Sequence, residues 1–301
     1  APGQTIPNHI SDAPINPANK GLWLDWRLRP DEAIVLVGRT PPAASYFSYC
    51  SYLAGRYFGN VFRRISASLG DTQNYLTIRT SGTPNGTEGN PFDQETMIVT
   101  TADKGIDDRV RKAAQSAGYS PAIMNTDVIP SGLVRMSLEE NADSFGFIHR
   151  FAFFRDEDAG DAYMKNPGAV VFRLTPKEPS PLLPYEVQPL RVRGTGNTTE
   201  LNLMGALNDL RQAVVAKYKT LNATELKTSI WLLEGFDAIQ REIDVIGENR
   251  DTTYLWSDRF TLKDDPNEFL IVYGVNHAAT GKAVYSNFGV YGSDILNGVG
   301  A

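Results

Sequence analysis

Histidine is scarce in this 301-residue chain, which holds only His9, His149 and His277. His9 lies in a Pro- and Asn-rich start and is set aside. His149 sits in SFGFIHRFAFF, residues 144–154. Strand alternation puts Phe145, Phe147, His149, Phe151 and Phe153 on one face. An imidazole among phenyl rings loses hydration, so its pKa falls and it stays neutral. Such a group can act as general base or metal ligand, and equally as a core histidine with one partner. Arg150 faces the other way and needs a carboxylate if that face is buried.

His277 follows an apolar run, Phe269 to Tyr273, and precedes a turn at Ala278–Gly281. Asn276 and His277 point to opposite faces. In a tight hairpin Lys282 or Ala283 returns beside His277, with Tyr285 diagonal to it. Imidazole, ammonium and phenol together make an acid–base set. The same residues are also ordinary turn vocabulary.

Two strand ends offer further positions. Thr100-Thr101-Ala102-Asp103 closes one parallel-type strand and Asn125-Thr126-Asp127 closes the next. Ligands favour the carboxyl ends of such strands. Asp103 also suits the N-cap of the helix that follows. The cluster Asp156, Glu157, Asp158 and Asp161 lacks EF-hand spacing and fits a helix N-terminus. Cys50, the single cysteine, reads as a small buried residue. GENRD at 247–251 resembles the GDNRD box of signal peptidases over five residues. Neither the Ser/Lys dyad nor the membrane anchor that accompanies that box can be placed, and the match is treated as coincidence. Walker, dinucleotide, G-x-S-x-G and H-E-x-x-H patterns are absent.

The elements that must position these groups form an α+β chain. Residues 1–20 read as an extended arm and 21–301 as one composite body. Residues 21–82 form an antiparallel strand layer, including Ala33–Val37 before Pro41-Pro42 and the aromatic stretch 45–53. Strands are also expected at Ile65–Leu69 and Tyr75–Arg79. Residues 81–93 are a loop. From about 96 to 175 the order is strand, helix, strand, strand, helix, strand. This ferredoxin-like βαββαβ pattern places its first and third strands centrally. Its first helix carries Ile106, Val110, Ala113, Ala114 and Ala117 and stops at Gly118. A Pro-rich connector over 176–200 leads to a C-terminal helix pair. The second of these has Asn222 and Glu225 as a capping box and Leu226, Ile230, Leu233, Phe236 and Ile243 as its apolar face. The hairpin of 269–285 follows.

Hydrophobic residues make up 42% and charged residues 21%, which fits a packed globular chain. The net charge of −6 and the lack of a long basic run argue against nucleic acid as partner. No apolar run reaches the roughly 18 residues of a membrane span. The Ala1-Pro2-Gly3 start suggests a processed export signal, hence a secreted protein. Sequons at Asn85, Asn197 and Asn222 are about what chance supplies.

Stacking the strand layer on the open face of the middle sheet would surround His149 with rings. The expectation is therefore a hydrolase- or lyase-type enzyme for a small apolar or aromatic molecule. His149 or His277 serves as base, Tyr285 or Lys282 as acid or oxyanion partner, and Tyr49, Phe147, Phe151 and Asn276 as substrate contacts. No cofactor is evident, although a metal held by both histidines is possible. The alternative is a secreted, non-catalytic binding or structural glycoprotein.

Overall fold

The computed structural model describes residues 25–179, 181–193, 200–231 and 233–292, and the backbone of 298–300. The expected arm and Asn197 lie outside them. The fold is α+β with sheets dominating. The described residues divide into two compact units. The first holds those up to Arg191 together with Leu233–Thr252. The second holds those of Val192–Leu232 and from Thr253 onward.

The first unit contains strands β1 (Asp25–Trp26), β2 (Ala33–Arg39), β3 (Ala44–Phe58), β4 (Val61–Ser68), β5 (Gln73–Asn74), β6 (Glu95–Thr101), β7 (Met124–Val128), β8 (Ser144–Phe154) and β9 (Val170–Leu174). Its helices are α1 (Lys104–Ser116) and α2 (Glu157–Lys165). The expected βαβ step is present: β6 and β7 are adjacent and parallel, with α1 between them in sequence. Asp103 caps α1 by accepting from Ile106 N at 2.9 Å. Gly118, at φ 96°, ends its last turn. Asp156 caps α2 in the same way.

The four strands of the expected βαββαβ unit do not share a sheet. One sheet runs β7-β6-β2-β9. Ala33–Arg39 takes the central place expected for the third strand, pairing antiparallel with both β6 and β9. That third strand, β8, instead pairs along β3 in a second sheet ordered β1-β8-β3-β4. The aromatic faces of β3 and β8 explain the exchange, because ten residue pairs match across this ladder. Tyr49 then opposes His149 and Phe47 opposes Phe151.

The two sheets stack. Ala33, Val35, Met97, Val99 and Met124 pack with Ile106, Val110 and Ala114 of α1 on one face of the first sheet. On its other face Ile98 and Leu36 meet Phe47, Tyr49, Phe147 and Phe151 of the second. The outer face of the second sheet is covered by 233–252, which includes α4 (Gly235–Arg241). Tyr46 hydroxyl receives a bond from Asn249 (2.9 Å) and donates to Asp251 (2.8 Å). Tyr52 donates to Glu248 O (2.6 Å). Gly235 allows α4 to approach β4, because a Cβ there would lie 2.3 Å from Ser68 O. Arg150 turns to this side, donating to Tyr52 hydroxyl and Gly247 O, each at 2.7 Å. Arg56 and Asp143 form a buried two-pronged ion pair beneath β3 (2.9 and 2.7 Å).

The second unit contains α3 (Met204–Lys217), β10 (Thr228–Trp231), β11 (Tyr254–Ser257), β12 (Gly289–Tyr291) and β13 (Gly298–Gly300). The expected second helix of the C-terminal pair does not form from Asn222. Residues 228–231 pair antiparallel with 254–257, and a helix begins only at Gly235. Glu225 forms an ion pair with Arg211 of α3 instead of closing a capping box. Tyr75–Arg79 is turn and coil, with only Gln73–Asn74 as strand. Around His277 the turn forms without flanking strands.

Candidate functional site

A cleft of about 540 Å³ runs along β7, the edge strand of the first sheet. All of β7 lines it, together with Arg111 of α1, residues 69–73, Thr77, Arg79 and Pro130. Gln188–Arg191 of the Pro-rich connector form its outer wall. That connector is tied at both ends. Leu183 N donates to Asp103, and Tyr185 hydroxyl donates to Asp107 at 2.8 Å. Arg191 N donates to Asp71 at 2.6 Å.

Alternation along β7 sends its side chains two ways. Met124 and Thr126 face α1. Thr126 hydroxyl donates to Asp107 (2.6 Å) and receives a bond from Arg111 (2.6 Å). Asn125 and Asp127 face the second sheet. The Asp127 carboxylate accepts from Ser51 hydroxyl of β3 and from Thr100 hydroxyl of β6, the latter at 2.9 Å. No cation pairs with it among the described residues. Burial pushes its pKa up, opposed by the two hydroxyl donors. Asp127 is thus a carboxyl at a cleft wall that keeps its proton to higher pH than an exposed aspartate does.

Gln73 donates from Nε2 to Thr126 O at 2.8 Å, while its Oε1 is buried without a hydrogen-bond partner. Arg111 reaches Met124 O at 3.4 Å. Side chains therefore occupy carbonyls at the open edge of β7, a position that would otherwise invite another strand.

His149 does not line this cleft. Its ring stacks on Tyr49 (centroids 4.2 Å apart, planes at 16°) and meets Phe151 and Tyr163 edge-on at 5.2 and 5.9 Å. Burial lowers its pKa to about 4, so the imidazole is neutral, and its Nε2 is buried without a partner. Tyr49, Phe147 and Phe151, expected as substrate contacts, belong to the same ring cluster. Tyr49 is buried, whereas Phe147, His149 and Phe151 are half-buried.

His277 belongs to the second unit. Lys282 N and Ala283 N both donate to His277 O, at 2.9 and 3.1 Å, which closes the turn, but the expected hairpin strands do not form around it. Asn276 uses its side chain to accept from Ala279 N. His277 Nδ1 lies 2.7 Å from Glu200, which also accepts from Thr280 hydroxyl. Its side chain is 44% exposed. Tyr285 is half-buried past the turn, and Lys282 is exposed. The two imidazoles fall in different units. No three His, Cys, Asp or Glu side chains converge as metal ligands among the described residues.

Cys50 is buried, and burial pushes its thiol well up, which suits an inert core residue. In GENRD the expected turn forms, with Thr252 N donating to Asn249 O at 3.1 Å and Asp251 exposed, while Glu248 and Asn249 are buried against the second sheet and Arg250 is buried against Asp71 and Glu234. Glu248 accepts from Ser68 N and hydroxyl, and burial raises its pKa to about 7. Asn85 and Asn222 are exposed. No helix among the described residues is long and apolar enough to cross a membrane. Comparison of the chain with protein-family models, curated proteins and solved structures finds no match.

Proposed function

We propose that the first unit is a small-molecule enzyme of hydrolase or lyase type. Its acid–base group is Asp127 in the β7 cleft, in place of His149 or His277. The observation that carries this reading is the Asp127 carboxyl itself: uncharged company, two hydroxyl donors and a position on a concave wall. Groups with shifted protonation in clefts are candidates for proton transfer. Asp127 donates a proton to a leaving oxygen and, as carboxylate, withdraws one from water or carbon.

The test is turnover of a panel of small esters, lactones and hydroxy acids. Asp127→Asn should lower kcat about 100-fold or more with an unchanged melting temperature. His149→Phe should leave kcat within a few-fold. An active Asp127→Asn protein, or an inactive but folded His149→Phe protein, would return the chemistry to the imidazole.

The non-catalytic reading, a secreted binding or structural glycoprotein, draws on one observation: the rings around His149 interlock as a core does. A panel giving no turnover, with ligand bound in the β7 cleft, would favour it.

A further inference from the structure

Three arginines are among the residues that line the β7 cleft: Arg79, Arg111 and Arg191. Arg111 pairs with Asp107 at 2.9 Å, and Arg191 lies 3.4 Å from Asp71, which also pairs with Arg250 at 2.7 Å. Arg79 differs. Its backbone is fixed to β7 and β6: Arg79 N donates to Asn125 Oδ1 (2.9 Å), and Arg79 O accepts from Asn125 Nδ2 and Thr96 hydroxyl (2.9 Å each). Its guanidinium, on a residue that is exposed, has no hydrogen bond or ion pair among the described residues. A cation is thus presented from a held position on the cleft wall with no carboxylate assigned to it. The remaining walls are partly apolar, with Leu69, Val128, Pro130, Pro189 and Leu190.

We infer that the β7 cleft takes a small monocarboxylate with an apolar body, its carboxylate on Arg79 and its chain against Leu69, Val128, Pro130 and Leu190. This rests on the reading of the cleft as the site and names its ligand class. Guanidinium and carboxylate match in a planar, two-pronged geometry. A cleft of about 540 Å³ lies within the usual range for small-molecule sites. The apolar walls account for the hydrophobic part of such a ligand, and the single unpaired cation for its single charge.

The experiment uses three probes of one chain length and different heads: octanoate, octanol and octylammonium. Binding is read by titration calorimetry, and the site by isotope-edited NMR on the full chain. Octanoate should bind about tenfold or more tighter than octanol, with octylammonium weakest, and should shift the signals of Val128 and Leu190. Arg79→Met should abolish the preference for octanoate over octanol, and Arg79→Lys should keep part of it. Equal affinity for octanoate and octanol, or a preference surviving Arg79→Met, overturns the carboxylate assignment. Inorganic phosphate binding as tightly as octanoate overturns it in favour of a phosphate ligand. In those cases shifts at Val128 and Leu190 would still uphold the cleft. Probes that leave both signals unmoved, while binding elsewhere, would sink the cleft reading itself.

Discussion

The first unit buries Phe47, Phe145, Leu28 and Leu53 completely, whereas no described residue of the second unit is buried. Both are rich in large apolar side chains. In the second, Leu255, Trp256, Phe269, Leu270, Ile271 and Val272 are all exposed. Trp231 meets Trp256 edge-on at 4.6 Å, and Tyr218 meets Phe269 at 5.2 Å, but these contacts are pairs and do not build a layer. Apolar content alone does not make a core. In the first unit a long ladder, β3 with β8, sets many rings at fixed spacing against a second sheet. In the second unit the strands are three or four residues long and cannot do so. This contrast also fits the placement of the cleft, which forms along the strand edge of the well-packed unit.

The contrast is tested hardest by matched truncations. Phe47→Ala, fully buried between the sheets, should cost about 3–5 kcal/mol in denaturant unfolding. Phe269→Ala, 46% exposed, should cost under about 1 kcal/mol. Similar costs at both positions would dissolve the distinction.

A smaller effect concerns two buried groups that titrate in opposition. Glu248 rises from 4.5 to about 7 on folding. The native state therefore holds that proton longer, and stability falls as pH climbs between those values. His149 drops from 6.5 to about 4, so the unfolded chain binds the proton more readily and stability climbs with pH over that range. Each slope amounts to roughly 3 kcal/mol across its window. Between pH 4.5 and 6.5 they oppose. Thermal melts should show little net trend for the wild type, a fall with pH for His149→Phe and a rise for Glu248→Gln. Variants that both track the wild type would show that neither group changes protonation on folding.

The smallest effect is expected in the second unit. His277→Ala removes the bond to Glu200 on an exposed turn, and the melting temperature should stay within about a degree. A drop of several degrees would show that this turn supports more structure than its exposure implies.

Local structure was largely legible in the sequence. The periodicities of 33–37, 45–53, 97–101, 106–117 and 145–154 correspond to elements, and the alternation in β3, and in β8 as far as Phe151, sorted their faces correctly; Phe153, expected on the ring face, is exposed at φ 55°, and Phe154 meets Phe151 instead. Phe47 and Tyr49 face one layer, and Tyr46 and Tyr52 the other. Sheet membership was not legible, because β8 pairs with β3 over roughly a hundred residues of separation and periodicity carries no partner identity. The second C-terminal helix failed for a similar reason. Leu226, Ile230 and Leu233 have helical spacing, but pairing with 254–257 claims the residues between them as strand. Of the cleft, the strand end at Asn125–Asp127 was visible as a place for function. Ser51, Gln73, Arg79 and the connector reach it only through tertiary structure, and no local signal marks them.

The chain leaves the first unit at Arg191 and returns to it at Leu233. The returning stretch supplies the groups that bond Tyr46, Tyr52, Ser68 and Arg150. A nascent chain ending near Arg191 would display one side of its second sheet bare, with hydroxyls and a guanidinium lacking those partners. Maturation of the amino-terminal half during synthesis must therefore wait until about sixty further residues have emerged from the ribosome.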